Sequence, residues 1–411
     1  MVKRFHLFGL GAAGSLLLLS PAAFASDSMN PALSRLVLDH RCNATNVGDG
    51  SFSGYVTGIS SGKPNNLGQF NDGPDRALYF NSTGRDSCVP DNVAFKRLMS
   101  QWGFALAPTA MHPARTTGYG GFHFSIEATY TNINNDADYW KLGTEGPRDP
   151  SSNRASAINA SPPGVISTYS ARVRKSFGFG LEVGGQVGFM PSTTILTGGA
   201  DVRMAILEGF RTGVLGYFPD IAVGAGVRTI TGTPEFQLTT VGLDVQLSKP
   251  FTIASQSVLT PWVGYQYLWI FGDSGLVDTT PATDAVGYCH YAGTNSPGNA
   301  DVSKKSGSNQ IYDGQPVCAG GSPLDFNNNV VFDNARLERQ RIMFGLSYRY
   351  EIVEFGAEFI TDLVSPSDAQ VGGDSTQVPT GPGTSKTVTD KQALAGEPRQ
   401  WTLVLNLGAA F

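Results

Sequence analysis

Beyond Gly118 the chain runs in long stretches that alternate apolar with small or polar residues, the period of a strand whose two faces meet different surroundings. Ten such segments are predicted: Gly121–Ile133, Val165–Arg174, Phe179–Phe189, Leu196–Ile206, Ile221–Thr229, Thr239–Leu247, Leu259–Phe271, Ile342–Tyr350, Val353–Thr361 and Trp401–Phe411. They are long for ordinary strands, which average ~5–6 residues, and suit tilted membrane strands, which need ~9–11. Residues 26–117 have another texture, rich in Gly, Asn, Ser and Asp, with helical hints over Pro31 to Arg41 and Asn92 to Phe104. In the second, Asp91 is the expected N-cap, and Phe95, Leu98, Met99 and Trp102 recur at helical spacing.

The charges decide which face meets what. In the first strand Phe122, Phe124, Ile126, Ala128 and Tyr130 form one phase; in the sixth, Val241, Leu243, Val245 and Leu247 do. The opposite phase carries Glu127, Arg172, Arg174, Glu182, Asp201, Arg203, Arg228, Asp244, Arg349, Glu354 and Glu358. A soluble sandwich also has one apolar face on each strand, so alternation alone does not decide. In a membrane barrel the segregation of charge has a physical source, because a lipid-facing Arg or Lys near mid-bilayer costs ~2–4 kcal/mol.

The spacing of the strands points the same way. The connections 134–164, 272–341 and 362–400 are long and all odd-numbered, so they share one end, while the even-numbered ones are brief or moderate. The expected fold is therefore all-β: an antiparallel up-and-down transmembrane β-barrel of about ten strands, ten to twelve, spanning 118–411 behind a small irregular and helical N-terminal segment. Aromatics such as Tyr267, Trp269 and Trp401 toward one end, and Tyr348, Tyr350 and Phe411 toward the other, suit interfacial girdles.

Composition fixes the compartment. Residues 1–25 read as an export signal: Lys3 and Arg4, an apolar run from Leu7 to Leu19, then Ala23-Phe24-Ala25 as the cleavage site. Its removal leaves 27 Lys+Arg against the 34 Asp+Glu of the chain. With 15% charged residues and no basic surplus, neither a disordered acidic tail nor a nucleic-acid partner is expected. Cys42, Cys88, Cys289 and Cys318 fall in a disulfide-permissive compartment, and pairings 42–88 and 289–318 are expected because they close the shorter loops.

The last strand carries a family resemblance. In Gln400-Trp401-Thr402-Leu403-Val404-Leu405-Asn406-Leu407-Gly408-Ala409-Ala410-Phe411, Trp401, Leu403, Leu405, Leu407 and Phe411 share one face and the chain stops on the Phe. This resembles the terminal strand of Gram-negative outer-membrane β-barrels, departing at Ala409, where a bulkier side chain is usual. The resemblance implies residence in the outer membrane and, as partners, membrane lipid and the barrel-assembly machinery.

Candidate chemistry is thin. His123 and Ser125 resemble the His-x-Ser of outer-membrane phospholipases but fall on the lumen phase, opposite the lipid-facing position those enzymes use. Omptin proteases need carboxylates and a His at the surface mouth, where only His290 lies; His40 and His112 have no metal-ligand spacing around them. No cofactor, metal or catalytic residue is expected. A ten-stranded lumen is narrow, and its near-balanced charges would occlude it, with Gly184, Gly188, Gly224, Gly226, Gly242 and Gly356 leaving at most a thin water path. The long connections, with Tyr288, His290, Tyr291 and Tyr312 around a 289–318 bridge, are the candidate recognition surface. The expected function is a non-enzymatic envelope protein presenting these loops, with 26–117 as a periplasmic element or lumen plug docking envelope partners. A narrow or gated conduit of an export or motility machine is the alternative, and a barrel hydrolase the third.

Overall fold

The computed structural model describes residues 28–36, 90–147, 159–209, 216–254, 256–278, 288–291, 305–306, 311–312, 316–319, 329–381 and 384–411. The export signal, Cys42, Cys88 and His40 lie outside them. Ten strands close a ring in chain order: β1 Phe122–Asn132, β2 Val165–Ser176, β3 Leu181–Phe189, β4 Leu196–Leu207, β5 Asp220–Thr231, β6 Phe236–Ser248, β7 Ser257–Ser274, β8 Ala335–Tyr350, β9 Val353–Asp362 and β10 Trp401–Ala410. Each pairs antiparallel with its successor, and β10 returns to β1 from His123↔Ala410 to Thr131↔Thr402, so the ring has no free edge. A short strand, Phe251–Ala254, folds back on the start of β7.

Side chains alternate across this wall as the charges require. Phe122, Phe124 and Ile126 are exposed outward, while His123, Ser125 and Glu127 between them are buried inward. The outer surface carries Val187, Leu196, Val202, Ile206, Leu243, Phe344, Phe355 and Leu405, all exposed. An apolar exterior around an ionic interior is the inverse of a water-soluble protein, and is the arrangement of an outer-membrane-type β-barrel. Of the last strand's repeat, Trp401, Leu405 and Phe411 are exposed and Leu403 and Leu407 half-exposed on the outside.

Two strands are longer than expected. β7 and β8 continue past Phe271 and begin before Ile342, pairing without interruption from Ala335↔Gly272 to Tyr350↔Ser257, which shortens the connection 272–341 to 275–334. Arg336-Leu337-Glu338-Arg339-Gln340-Arg341 reads as a charged loop, yet Leu337, Arg339 and Arg341 occupy the lumen phase and are buried there. The 3₁₀ turn Leu33–Arg35 is what the described residues show of the helix expected over Pro31 to Arg41. Helix α1, Asn92–Leu106, runs two residues past its expected end and is capped by Asp91, whose Oδ1 accepts from Ala94 N at 3.0 Å.

The long connections gather at one end of the barrel, termed the loop end; the other is the turn end. At the loop end, α2 (Asp138–Gly143) follows β1, and a hairpin of Ser375–Gly381 and Thr384–Thr389 leads into α3 (Asp390–Ala393) before β10. In the β7–β8 connection, Tyr288–Tyr291 pairs antiparallel with Pro316–Ala319, with Cys289 directly opposite Cys318.

Candidate functional site: the filled lumen

Helix α1 enters the loop end of the barrel along the walls of β7, β8 and β6. Its apolar side chains Phe95, Leu98, Met99 and Trp102 are buried with Ile270, Leu268, Leu238, Phe236 and Leu337 from the strands and Trp140 from α2 in one continuous cluster. Trp102 lies 5.5 Å from Trp140 and 6.5 Å from Phe236, ring centre to ring centre. The helix has no solvated face, since its polar side chains are also covered. Lys96 pairs with Asp390 of α3, Arg97 Nε donates to Ala393 O at 2.7 Å, and Gln101 joins Tyr139, Trp140 and Glu397. Tyr139 donates to Glu397 at 2.5 Å; burial and the adjoining carboxylate hold its phenol well above its ordinary pKa.

Below α1 the chain continues as an extended thread through the barrel. Arg341 Nη2 donates to Pro108 O at 2.7 Å, and the Arg339 and Arg341 guanidinium groups stack on Phe104 at 4.8 and 5.0 Å. Arg172 donates to Thr109 O, and Glu358 accepts from Met111 N at 3.1 Å. Met111 itself adopts φ 43°, a left-handed kink held by that bond and by its buried side chain among Met343, Ile360 and Val404. Further down, His112 Nε2 lies 2.7 Å from Glu182 and Arg203 caps the carbonyls of Ala110, His112 and Pro113. Ala114 N donates to Ser248, Thr116 to Glu208, and Thr117 meets Ser176 at the turn end, where β1 begins.

The ionic residues marked in the sequence converge on this thread. Arg172 bridges Glu127 at 3.2 Å and Asp201 at 2.8 Å; Arg228 reaches the other Asp201 oxygen at 2.8 Å; Arg174 lies 3.8 Å from Glu182 and Arg203 4.0 Å from Asp244. Glu354 accepts from Ser347 at 2.8 Å and lies 3.5 Å from His123, while Arg349, half-exposed at the rim, donates to Glu351 O. The pattern missed Arg339, Arg341 and Asp362, which lie outside the predicted strands. Arg339 binds Asp362 in two-pronged fashion, at 3.0 and 2.5 Å, and donates to Ser100 of α1 at 2.7 Å. The period-two phase continued through Leu337, Arg339 and Arg341 was the signal that could have found them.

The water path expected along the lumen glycines is replaced by protein. A side-chain carbon on Gly226 would meet Pro108 at 2.9 Å, and one on Gly356 would meet Met111 at 3.2 Å, so these glycines make room for the thread. Around His112, Arg172, Arg203 and Asp244 remains a cavity of about 20 Å³, space for a water or two. Ser125 Oγ and the Gln246 and Asn406 amides, all buried in the lumen, have no protein partner. The lumen thus pairs an apolar cluster with the Arg339–Asp362 ion pair where α1 lies, and is mainly ionic below it.

Ser125 makes no hydrogen bond to His123, whose Nδ1 instead faces Arg174 at 3.1 Å. The side chains of Tyr288, Cys289, His290, Tyr291, Tyr312 and Cys318 lie outside the described residues.

No family model and no curated protein matches the chain. Among solved structures it is similar to the attachment invasion locus protein Ail of Yersinia pestis, in complex with a heparin analogue (9% identity, 72% of this chain and 100% of that one, TM-score 0.22). It is also similar to outer membrane protein OprG of Pseudomonas aeruginosa (10%, 73% and 99%, TM-score 0.25). A third is the translocator domain of the autotransporter NalP of Neisseria meningitidis (10%, 81% and 98%, TM-score 0.28). Such superpositions transfer no activity; the barrel reading stands on the closed hydrogen-bond ladder and the inverted distribution of apolar and ionic side chains.

Proposed function

We propose that the protein is an integral outer-membrane barrel, sealed by its own N-terminal segment, that acts without catalysis by presenting its long connections at the cell surface. The carrying observation is the filled lumen: α1 and the thread through Thr117 occupy it from end to end. Lipid on the outer wall and the barrel-assembly machinery at the last strand are its expected contacts, with envelope proteins as partners of the presented loops. The buried, unpartnered Ser125 hydroxyl favours this reading over a hydrolase. The ionic lower lumen favours, as a second reading, a conduit that opens when α1 leaves.

Planar-bilayer recording tests the two. The full chain is expected to be silent, and a variant lacking 26–116 to pass current. Steady current from the full chain would overturn the sealed-barrel reading in favour of a conduit that α1 does not hold shut.

A further inference from the structure

The thread has a direction, and it fixes where the N-terminal stretch ends up. From Thr117 at the turn end the chain runs backward through Met111 at mid-barrel to α1 at the loop end, and the described residues before α1, 28–36 and 90–91, lie at that same end. Asp91 N donates to Leu36 O at 2.8 Å, joining Ser28–Leu36 to the start of the helix. That stretch is built into the loop end by contacts to three connections. Met29 N donates to Ser192 O at 3.0 Å in the β3–β4 connection, and Leu33 N to Glu235 at 2.9 Å in the β5–β6 connection. In the β1–β2 connection, Pro31 bridges Thr144, Ala32 N donates to Gly143 O at 2.9 Å, Arg35 reaches the carbonyls of Thr144 and Glu145, and Asn159 donates to Ser28 O. Met29, Leu33 and Leu36 belong to the same apolar cluster as Trp102.

We infer that the barrel carries its own N-terminal stretch across the membrane and lodges Ser28–Leu36 at the outer end, packed beneath the surface connections as a structural support for them. This rests on the outer-membrane reading, which puts the loop end outside because long connections belong there. An N-terminal segment that docked periplasmic partners would have to lie at the turn end; the described residues before Leu106 make their contacts at the other. The segment must cross before or while the ring closes, since the finished lumen has no room for a second passage of chain.

The test is an epitope inserted after Asp27, probed with antibody on intact and on permeabilised cells. Reference epitopes go after Gly372, in the β9–β10 connection, and after Gly209, at the turn end; a side chain on either glycine would meet open space. Heat-modifiable migration of each variant reports a closed barrel, and a second variant with a Gly-Ser spacer before Ser28 covers a tag that obstructs docking. The expected result is labelling of intact cells by the Asp27 and Gly372 epitopes alike, with the Gly209 epitope labelled after permeabilisation. Labelling at Gly372 with silence at Asp27, in both spacer forms, overturns this inference and leaves the function standing. Labelling at Gly209 with silence at Gly372 reverses the barrel and overturns both.

Discussion

Replacing Trp102 with alanine measures how firmly the lumen is sealed. The indole is 1% exposed, lies against Trp140 and Phe236, and its N–H has no hydrogen-bond partner, so truncation removes packing and orphans no polar group of its own. Truncating a buried Trp costs ~3–5 kcal/mol including the cavity left behind. None of that falls on the ring, whose ladders are backbone hydrogen bonds between strands, so the loss acts on the docking of α1. At about 1.4 kcal/mol per decade it shifts the docked-to-undocked ratio by roughly 10²-fold to several thousand-fold. Single-channel recording should show the silence of the wild type giving way to openings in Trp102→Ala, while heat-modifiable migration stays unchanged. Limited proteolysis should cut α1 sooner by a similar factor. If both the opening frequency and the cleavage rate match wild type, α1 is not what closes the barrel.

Arg339→Met leaves Asp362 buried without its charge partner and should destabilise by ~3–5 kcal/mol, whereas adding Asp362→Leu should recover much of the loss; denaturant unfolding in detergent reads both. Burial pushes the Asp138 carboxyl up to about 7 against an unfolded value near 4, so the folded state favours its neutral form. Docking of α2 should therefore weaken as pH rises from about 4 to about 7 and level off above, a slope that Asp138→Asn abolishes in protease-protection assays. Asp91→Ala removes the N-cap of α1 and should cost ~1 kcal/mol, seen as earlier proteolysis of the helix with the ring intact. Cys289 and Cys318 face each other across an antiparallel pair, a spacing that admits a disulfide; non-reducing peptide mapping should recover the two linked.

The ring was legible because its two faces meet solvents of opposite kind. Phe122 and Glu127, or Leu243 and Asp244, could not exchange places without putting charge in lipid, so every strand repeats the same phase. The site was less legible because its surroundings are not lipid. Arg339 and Arg341 sit where the wall is met by α1, and a run of charges there looks like a loop until Ser100 and Phe104 of the helix are placed beside it. The thread itself, Ala107 to Thr117, has no period: its partners are carbonyl-binding guanidinium groups and single carboxylates contributed by seven different strands or turns, and nothing local in Pro108-Thr109-Ala110-Met111 announces them. Helix α1 showed its apolar face but not that Lys96, Arg97 and Gln101 would be covered as well by residues about 300 positions away.

The covalent junction of the thread with β1 makes the stopper a tethered one. A plug that slips out remains on a leash of about ten residues, and a short flexible linker sustains an effective concentration in the millimolar range. Reclosure is consequently unimolecular and independent of how much protein the membrane holds, whereas a detached peptide covering 92–116 would need roughly millimolar supply to silence a barrel that lacks it.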